Sequence, residues 1–160
     1  MFRKMIREKQ LMDVNAVTAV LKRATSGVLA CLGDEDYPYA VPLNYVYWGD
    51  KIYFHSAKAG HKIDAIKKHP KVSFAVTGED TIAGAEYTSY FRSVIAFGKA
   101  AVVEDNDERL AALRALVEKY SGDQPEENNQ AALGRCTQAC LVAIDVEHIT
   151  GKQALEYVKA

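Results

Sequence analysis

Residues 53–70 read YFHSAKAGHKIDAIKKHP. The opening residues continue an apolar run, IYFHS (52–56), that reads as a strand. The second half reads as a short helix, packed down by Ile63 and Ile66 and closed by His69 before Pro70. A strand that passes through a glycine turn into a helix fits either a repeating βαβ protein or a barrel in which the helix is an excursion. The flanking sequence decides between them. On the N-terminal side, YPYAVPLNYVYW (37–48) is extended and aromatic, and WGDK (48–51) is a tight turn, so the two stretches read as hairpin neighbours. Pro38 and Pro42 cannot donate ladder bonds, which places that strand at an edge or gives it a bulge.

Downstream, KVSFAVT (71–77) points Val72, Phe74 and Val76 to one side, as a half-buried strand does. Residues 78–90 have no period and read as the longest loop of the front half. SVIAFGKAAVVED (93–105) is a long strand in which Gly98 marks a bulge or a close backbone approach. GVLACLG (27–33) reads as a buried strand. CLVAIDVEHITGK (140–152) is the last one, with Val142, Ile144 and Val146 on one side and His148 at the surface. Helices are expected at 13–24, with Asp13 as N-cap and Val14, Val17, Leu21 and Ala24 on one face, and near 106–120. In the latter Leu110, Leu113, Val117 and Tyr120 repeat at helical spacing, and Asp105 with Glu108 resembles a capping box. SGDQPEENNQ (121–130) reads as a polar connector and 131–138 as a short helix. The tally is six strands joined mostly by turns, without βαβ alternation. That argues for a mainly β chain, a six-stranded antiparallel barrel with peripheral α-helices. We expect one domain, with barrel segments at 26–104 and 139–149 and a helical excursion at 106–137.

Composition narrows the function. The chain has 160 residues, 49% of them hydrophobic and 26% charged, with a formal net charge of −1. Such a balance gives no basic face for nucleic acid. No apolar run is long enough to span a membrane, and MFRKMIREKQ lacks the apolar core of a signal peptide, so a cytoplasmic protein is expected. Cys31 lies in an apolar run, and Cys136 and Cys140 are four apart, which fits reduced thiols better than a redox pair.

The turn at 55–62, HSAKAGHK, offers backbone N–H groups to an anion where the helix begins, with Gly60, His61 and Lys62 at its start. It is neither a Walker A loop nor GxGxxG, and two readings stay open, a phosphate site or a solvated basic turn. His55 and His61 lack a third ligand at metal-site spacing, and no GxSxG elbow is present. Upstream, the prolines free main-chain groups at Leu43, Asn44 and Tyr45, which could bond a flat, polar-edged ring. Phosphate at one end and a flat heteroaromatic at the other describe flavin mononucleotide, FMN.

The strings ATSGVLACL, YPYAVPLNYVYWGDKIYFHSAKAGHKIDAIKKHPKVSFAV, YFRSVIAFGKAAVVED and VEHITGK together resemble the pyridoxamine 5′-phosphate oxidase-like family of FMN-binding split barrels. The nearest likeness is to its nitroimidazole-resistance reductases, over about residues 20–152. The resemblance implies a six-stranded antiparallel split barrel and a homodimer with FMN at the subunit interface. It puts His61 and Lys62 where the oxidases hold the FMN phosphate with an Arg-Lys pair. His55, Ser56 and Ala57 would lie on the strand end beside the cofactor, and Leu43, Asn44 and Tyr45 would line the isoalloxazine. RSVIAFG (92–98) matches the oxidases' Arg-Gln-Val-x-x-x-Gly pattern, with Arg92 kept and Ser93 in place of Gln. A histidine near the flavin in some of the reductases is matched by His55, with His61 second, and Tyr45, Tyr90 or His55 would tune or protonate the acceptor.

The oxidases' C-terminal substrate segment carries Arg and His, whereas this chain reads GKQALEYVKA, so the oxidase reaction itself is not expected. The implied activity is an FMN-dependent reduction of a small-molecule electron acceptor such as a nitroaromatic. The alternatives are a non-catalytic flavin or haem binder, with His55 as an axial ligand, or a reductase using the deazaflavin F420.

Overall fold

A computed structural model describes residues 1–136 and 139–158. Among these, seven strands form one antiparallel sheet: β1 (Ser26–Leu32), β2 (Pro38–Asn44), β3 (Val46–Trp48), β4 (Lys51–Ser56), β5 (Lys71–Ala83), β6 (Thr88–Val102) and β7 (Cys140–Gln153). The order across the sheet is β2-β1-β5-β6-β7-β4-β3. The two outermost strands, β2 and β3, are consecutive in the chain and separated by Tyr45 alone. The sheet must therefore curl until its edges nearly meet. The barrel is closed by the polypeptide crossing at Tyr45 and not by a ladder, which is what splits it.

This corrects the strand count from six to seven. The stretch expected as one strand changes partner midway, with Gly27 opposite Leu43 before the crossing and Tyr53 opposite Val46 after it. Leu43 and Asn44 are consequently neighbours of β1 and not of the hairpin strand. Pro38 and Pro42 sit on the edge strand, where a missing N–H costs no ladder bond. The hairpin turn at Gly49 and Asp50 has φ of 56° and 62°, the backbone of a tight two-residue turn. The register shifts between Phe97 and Gly98, and a Cβ at Gly98 would stand 2.2 Å from the Asp145 carbonyl oxygen, so only glycine fits that bulge.

Inside the barrel Leu29, Phe54, Phe74, Val142 and Ile144 are fully buried, and helix α1 (Val14–Arg23) closes one end with Val17, Val20 and Leu21. Asp13 caps α1 by accepting from the Ala16 amide. Val14, expected on the packed face, is 73% exposed, and Met12, just before the helix, fills the core instead. Helix α2 (His61–Lys68) plugs the other end through Ile63 and Ile66. Residues 78–90 are no loop. β5 and β6 stay paired to Ala83 and Thr88 around a short turn at Gly84–Glu86, forming a two-stranded arm. The arm is unburied on both faces, so it shows no apolar alternation by which to recognise it.

Helices α3 (Asn106–Ser121) and α4 (Glu126–Cys136) cover the outside of β3, β4 and β7. Strand segments there are buried on both faces, with Ile52–Phe54 and Cys140–Ile144 all inside. α4 begins five residues before its expected start, inside the polar connector, with Glu126 and Glu127 favourably placed in its first turn. The expected end of that helix, 137 and 138, lies outside the described residues. The three cysteines are free thiols. No described helix is long and apolar enough to cross a membrane.

Candidate functional site

Strand β4 delivers its last two residues to opposite faces. His55 is exposed on the outside and Ser56 is buried. The Ser56 hydroxyl is a buried polar atom with no hydrogen-bond partner among the described residues, an arrangement that calls for one. Ala57 and Gly60 are exposed in the turn that follows. Gly60 has φ of 128°, which side chains disfavour, and open space where a Cβ would be. It precedes α2 without any side-chain cap; the Ile63 and Asp64 amides donate to the Gly60 carbonyl, which leaves the His61 and Lys62 amides as the donors at the helix start. Lys58 is exposed and Lys62 half-buried, and neither has an ion-pair partner among the described residues.

His61 is differently placed. Its Nε2 accepts from the Asp34 amide at 3.2 Å, and its ring stacks on Tyr39 at 4.1 Å between centroids. The same nitrogen lies 3.7 Å from the Asp34 carboxylate. His61 thus latches α2 to the β1–β2 turn.

The residues expected to line a ring lie around the barrel seam. Asn44 is the last residue of β2, and His55 lies one residue before the end of β4. Both line a cleft of about 340 Å³, whose other wall is Leu113, Leu116, Val117, Tyr120 and Ser121 of α3 with Ala132 and Cys136 of α4. Asn44 donates from Nδ2 to the Thr25 carbonyl at 2.8 Å, and Leu43 is half-buried beside it. Tyr45 departs from expectation. Its side chain is 0% exposed, with the hydroxyl donating to the Leu21 carbonyl at 2.8 Å, and burial pushes that phenol's pKa upward. Its main-chain groups are also taken, by the hydroxyl of Tyr120. Tyr45 is therefore a core residue at the seam and has no surface to offer a ring.

Tyr90, Arg92 and Ser93 lie elsewhere, on the arm side of β6. Arg92 pairs with Glu79 at 2.8 Å and covers the Tyr157 ring at 3.9 Å, while the Tyr90 hydroxyl donates to Glu86 at 2.6 Å. The Arg92 guanidinium and the Tyr157 hydroxyl, the latter first, hold the Glu79 carboxyl below its usual range. Further along β6 the Ala100 amide donates to the Pro70 carbonyl just past α2. At about 3.3 Å per residue, β6 carries Ser93 on the order of 20 Å from the α2 end of the barrel. The chain therefore gathers Ser56, Ala57, Gly60, His61 and Lys62 at one place and Leu43, Asn44 and His55 at another, and leaves Tyr90, Arg92 and Ser93 apart.

Sequence reasoning misses the α3–α4 wall of the cleft and the clasp on Tyr45. Leu113, Val117 and Tyr120 carry a helical packing signal, but nothing local says that they pack beside His55. The capping pair at Asp105 is half right. Asp105 accepts from the Glu108 amide at 2.7 Å, but the Glu108 carboxylate turns to Lys51 Nζ at 2.9 Å and the Tyr53 hydroxyl at 2.7 Å. Lys51 first and then Tyr53 lower the Glu108 pKa, while burial and the Glu108 carboxylate raise that of Tyr53. α3 is thereby pinned to the barrel near both ends.

A sequence profile described as pyridoxamine 5′-phosphate oxidase matches residues 13–153. An uncharacterised protein of Rhizobium meliloti (strain 1021) is 37% identical over 73 residues, 44% of this chain; the match spans less than half of that relative, 42% of its length. A conserved hypothetical protein of Mycobacterium tuberculosis superposes with a TM-score of 0.80 at 19% identity, covering 94% of this chain and 90% of that one. A candidate 5-nitroimidazole antibiotic resistance protein of Bacteroides thetaiotaomicron superposes at 0.73 with 23% identity, over 89% and 85% of the two chains. A FAD-binding protein of Mesorhizobium loti superposes at 0.66 with 26% identity, over 90% and 96%.

Proposed function

The chain belongs to the pyridoxamine 5′-phosphate oxidase family, and from that premise we propose that it is a cytoplasmic FMN-dependent oxidoreductase that reduces a small acceptor such as a nitroaromatic. The observation that carries the reading is the turn at 56–62, which combines a helix start without a side-chain cap with a buried Ser56 hydroxyl and two lysines that, among the described residues, have no hydrogen-bond or ion-pair partner respectively. These residues fit the phosphate of a flavin nucleotide. The helix-start amides would donate to it, and Lys62 would add a charge-assisted bond in a half-buried setting. At the seam, Leu43 gives an apolar rest and Asn44 a polar edge for a flat ring.

When bound, the flavin supplies the electron transfer. This chain's residues bind it, orient it and keep water away. The apolar wall of α3 and α4 encloses the cleft on one side, and His55 stands in it with ring nitrogens that can donate to or accept from a bound acceptor. We assign His55 to the acceptor side on that ground. The likeness to the Bacteroides nitroimidazole resistance protein and to the Mesorhizobium FAD-binding protein supports this reading.

A homodimer completes this reading. Tyr90, Arg92 and Ser93 reach a phosphate turn only if a second copy brings them. The outer face of β1, β5 and β6, left bare by the helices, exposes Val28, Ile95 and Phe97 at 38%, 43% and 38%. A second reading, FAD in place of FMN, is favoured by one feature. Beside Lys58 lies a further hollow of about 550 Å³, lined also by Lys67, Asn106 and Arg109, with room for a second phosphate.

The test is spectroscopic. Purified protein loaded with FMN or FAD is reduced with dithionite without oxygen and then offered a 5-nitroimidazole. Return of the oxidised flavin band is the expected result. A reduced flavin that persists would make the protein a flavin binder of another role.

A further inference from the structure

Tyr45 joins β2 to β3 and belongs to neither ladder, so its backbone groups must find partners outside the sheet. One atom serves both. The Tyr45 amide donates to the Tyr120 hydroxyl oxygen at 3.0 Å, and that oxygen lies 2.7 Å from the Tyr45 carbonyl and 2.6 Å from the Thr25 carbonyl. A phenol has one proton, so Tyr120 accepts from the amide and shares its single donation between the two carbonyls. The Thr25 carbonyl is also the acceptor for Asn44 Nδ2. A single hydroxyl on α3 thus holds together the end of β2, the start of β1 and the crossing between them. Tyr120 also lines the cleft that contains Asn44 and His55.

We propose that Tyr120 is a positioning residue for the cofactor site, setting through its hydroxyl the backbone path from Leu43 to Tyr45 and tying that path to the helical wall of the cleft. The proposal rests on the flavin reading above and adds to it a residue that no flavin contact would single out. The physical reason is the absence of redundancy. A crossing one residue long has no ladder bond of its own to hold it, and a phenylalanine at 120 would keep the packing of α3 while leaving the Tyr45 amide and carbonyl without partners. The Tyr45 side chain would remain in the core, fixed by Leu21, Phe74 and Lys119. The backbone beside it, where the β1–β2 ladder ends at Asn44, would lose its tie to α3 and move more freely.

The experiment compares wild type, Tyr120→Phe and Lys62→Ala by FMN titration, bound-flavin absorption spectrum and amide hydrogen exchange over residues 43–46. Tyr120→Phe is expected to fold, to bind FMN about tenfold more weakly, to shift the bound spectrum and to speed exchange at 43–46. Lys62→Ala is expected to weaken FMN without altering that exchange, which separates direct contact from positioning. FMN affinity and spectrum unchanged in Tyr120→Phe would overturn the proposal, since a purely structural clasp would lower stability alone. So would weaker binding with exchange at 43–46 unaltered. Wild type that takes up no flavin would instead overturn the flavin reading, and with it any role of Tyr120 toward a cofactor, whatever the exchange shows.

Discussion

Lys62 and His61 are adjacent in sequence and differ in circumstance. Lys62 is half-buried with no ion-pair partner among the described residues, whereas His61 is already engaged, accepting from the Asp34 amide and stacked on Tyr39. A phosphate at the turn would therefore lean on Lys62. Lys62→Ala is expected to weaken FMN by about 1–3 kcal/mol, the range for a charge-assisted hydrogen bond, and His61→Ala by less. Calorimetric titration of both variants checks the order, and equal or reversed losses would mean that His61 leaves its latch to bind the cofactor. At this scale the sequence is legible where a residue type has one physical use. Gly98 announces its bulge because a strand interior tolerates glycine only for such a reason. Tyr45 is not legible, because a tyrosine beside two prolines looks equally suited to a ring surface or a core. What decides is Leu21 and Tyr120, far away in the chain.

α3 shows how an element acts at a distance. Its start is tied to β4 through Glu108, Lys51 and Tyr53, and its end to the barrel seam through Lys119 and Tyr120. Burial lowers the Lys119 pKa to about 8, although its ammonium lies 4.1 Å from the centre of the Tyr45 ring, a contact that favours the charge. A lysine whose folded pKa lies below its unfolded value makes the folded state bind fewer protons than the unfolded one. Stability attributable to Lys119 therefore rises as pH climbs from about 8 toward the model-compound value of 10.5. Lys119→Met is expected to be more stable than wild type near pH 7 and to lose that rise, as urea melts at neutral and alkaline pH would show. A less stable mutant at neutral pH would mean that the ring face outweighs desolvation. Helices with clear apolar spacing and a capping residue, α1 and α3, are read within a residue or two. The arm at 78–90 and the start of α4 are not, since neither buries enough apolar surface to leave a period.

At the scale of the whole molecule, the helices cover only half of the barrel's outside. The α3–α4 pair buries the outer face of β3, β4 and β7, and the face of β1, β5 and β6 keeps Val28, Ile95 and Phe97 at the surface. A second copy over that face would hide them, and Ile95→Lys is expected to turn a dimer into a monomer in sedimentation and to weaken flavin uptake with it. A variant that stays dimeric would place the interface elsewhere. The barrel class follows from strands joined by turns, but the strand order does not. Nothing local in residues 37–48 shows that the chain changes sheet edge at Tyr45, which is why the count reads six and the structure has seven. The central claim is that the turn at 56–62 holds a flavin nucleotide, and a visible-absorption titration of the purified, flavin-free protein with FMN tests it most directly. The account predicts saturable uptake with a shifted flavin band, weakened by Lys62→Ala. A flavin spectrum identical to that of free FMN at every protein concentration would contradict it.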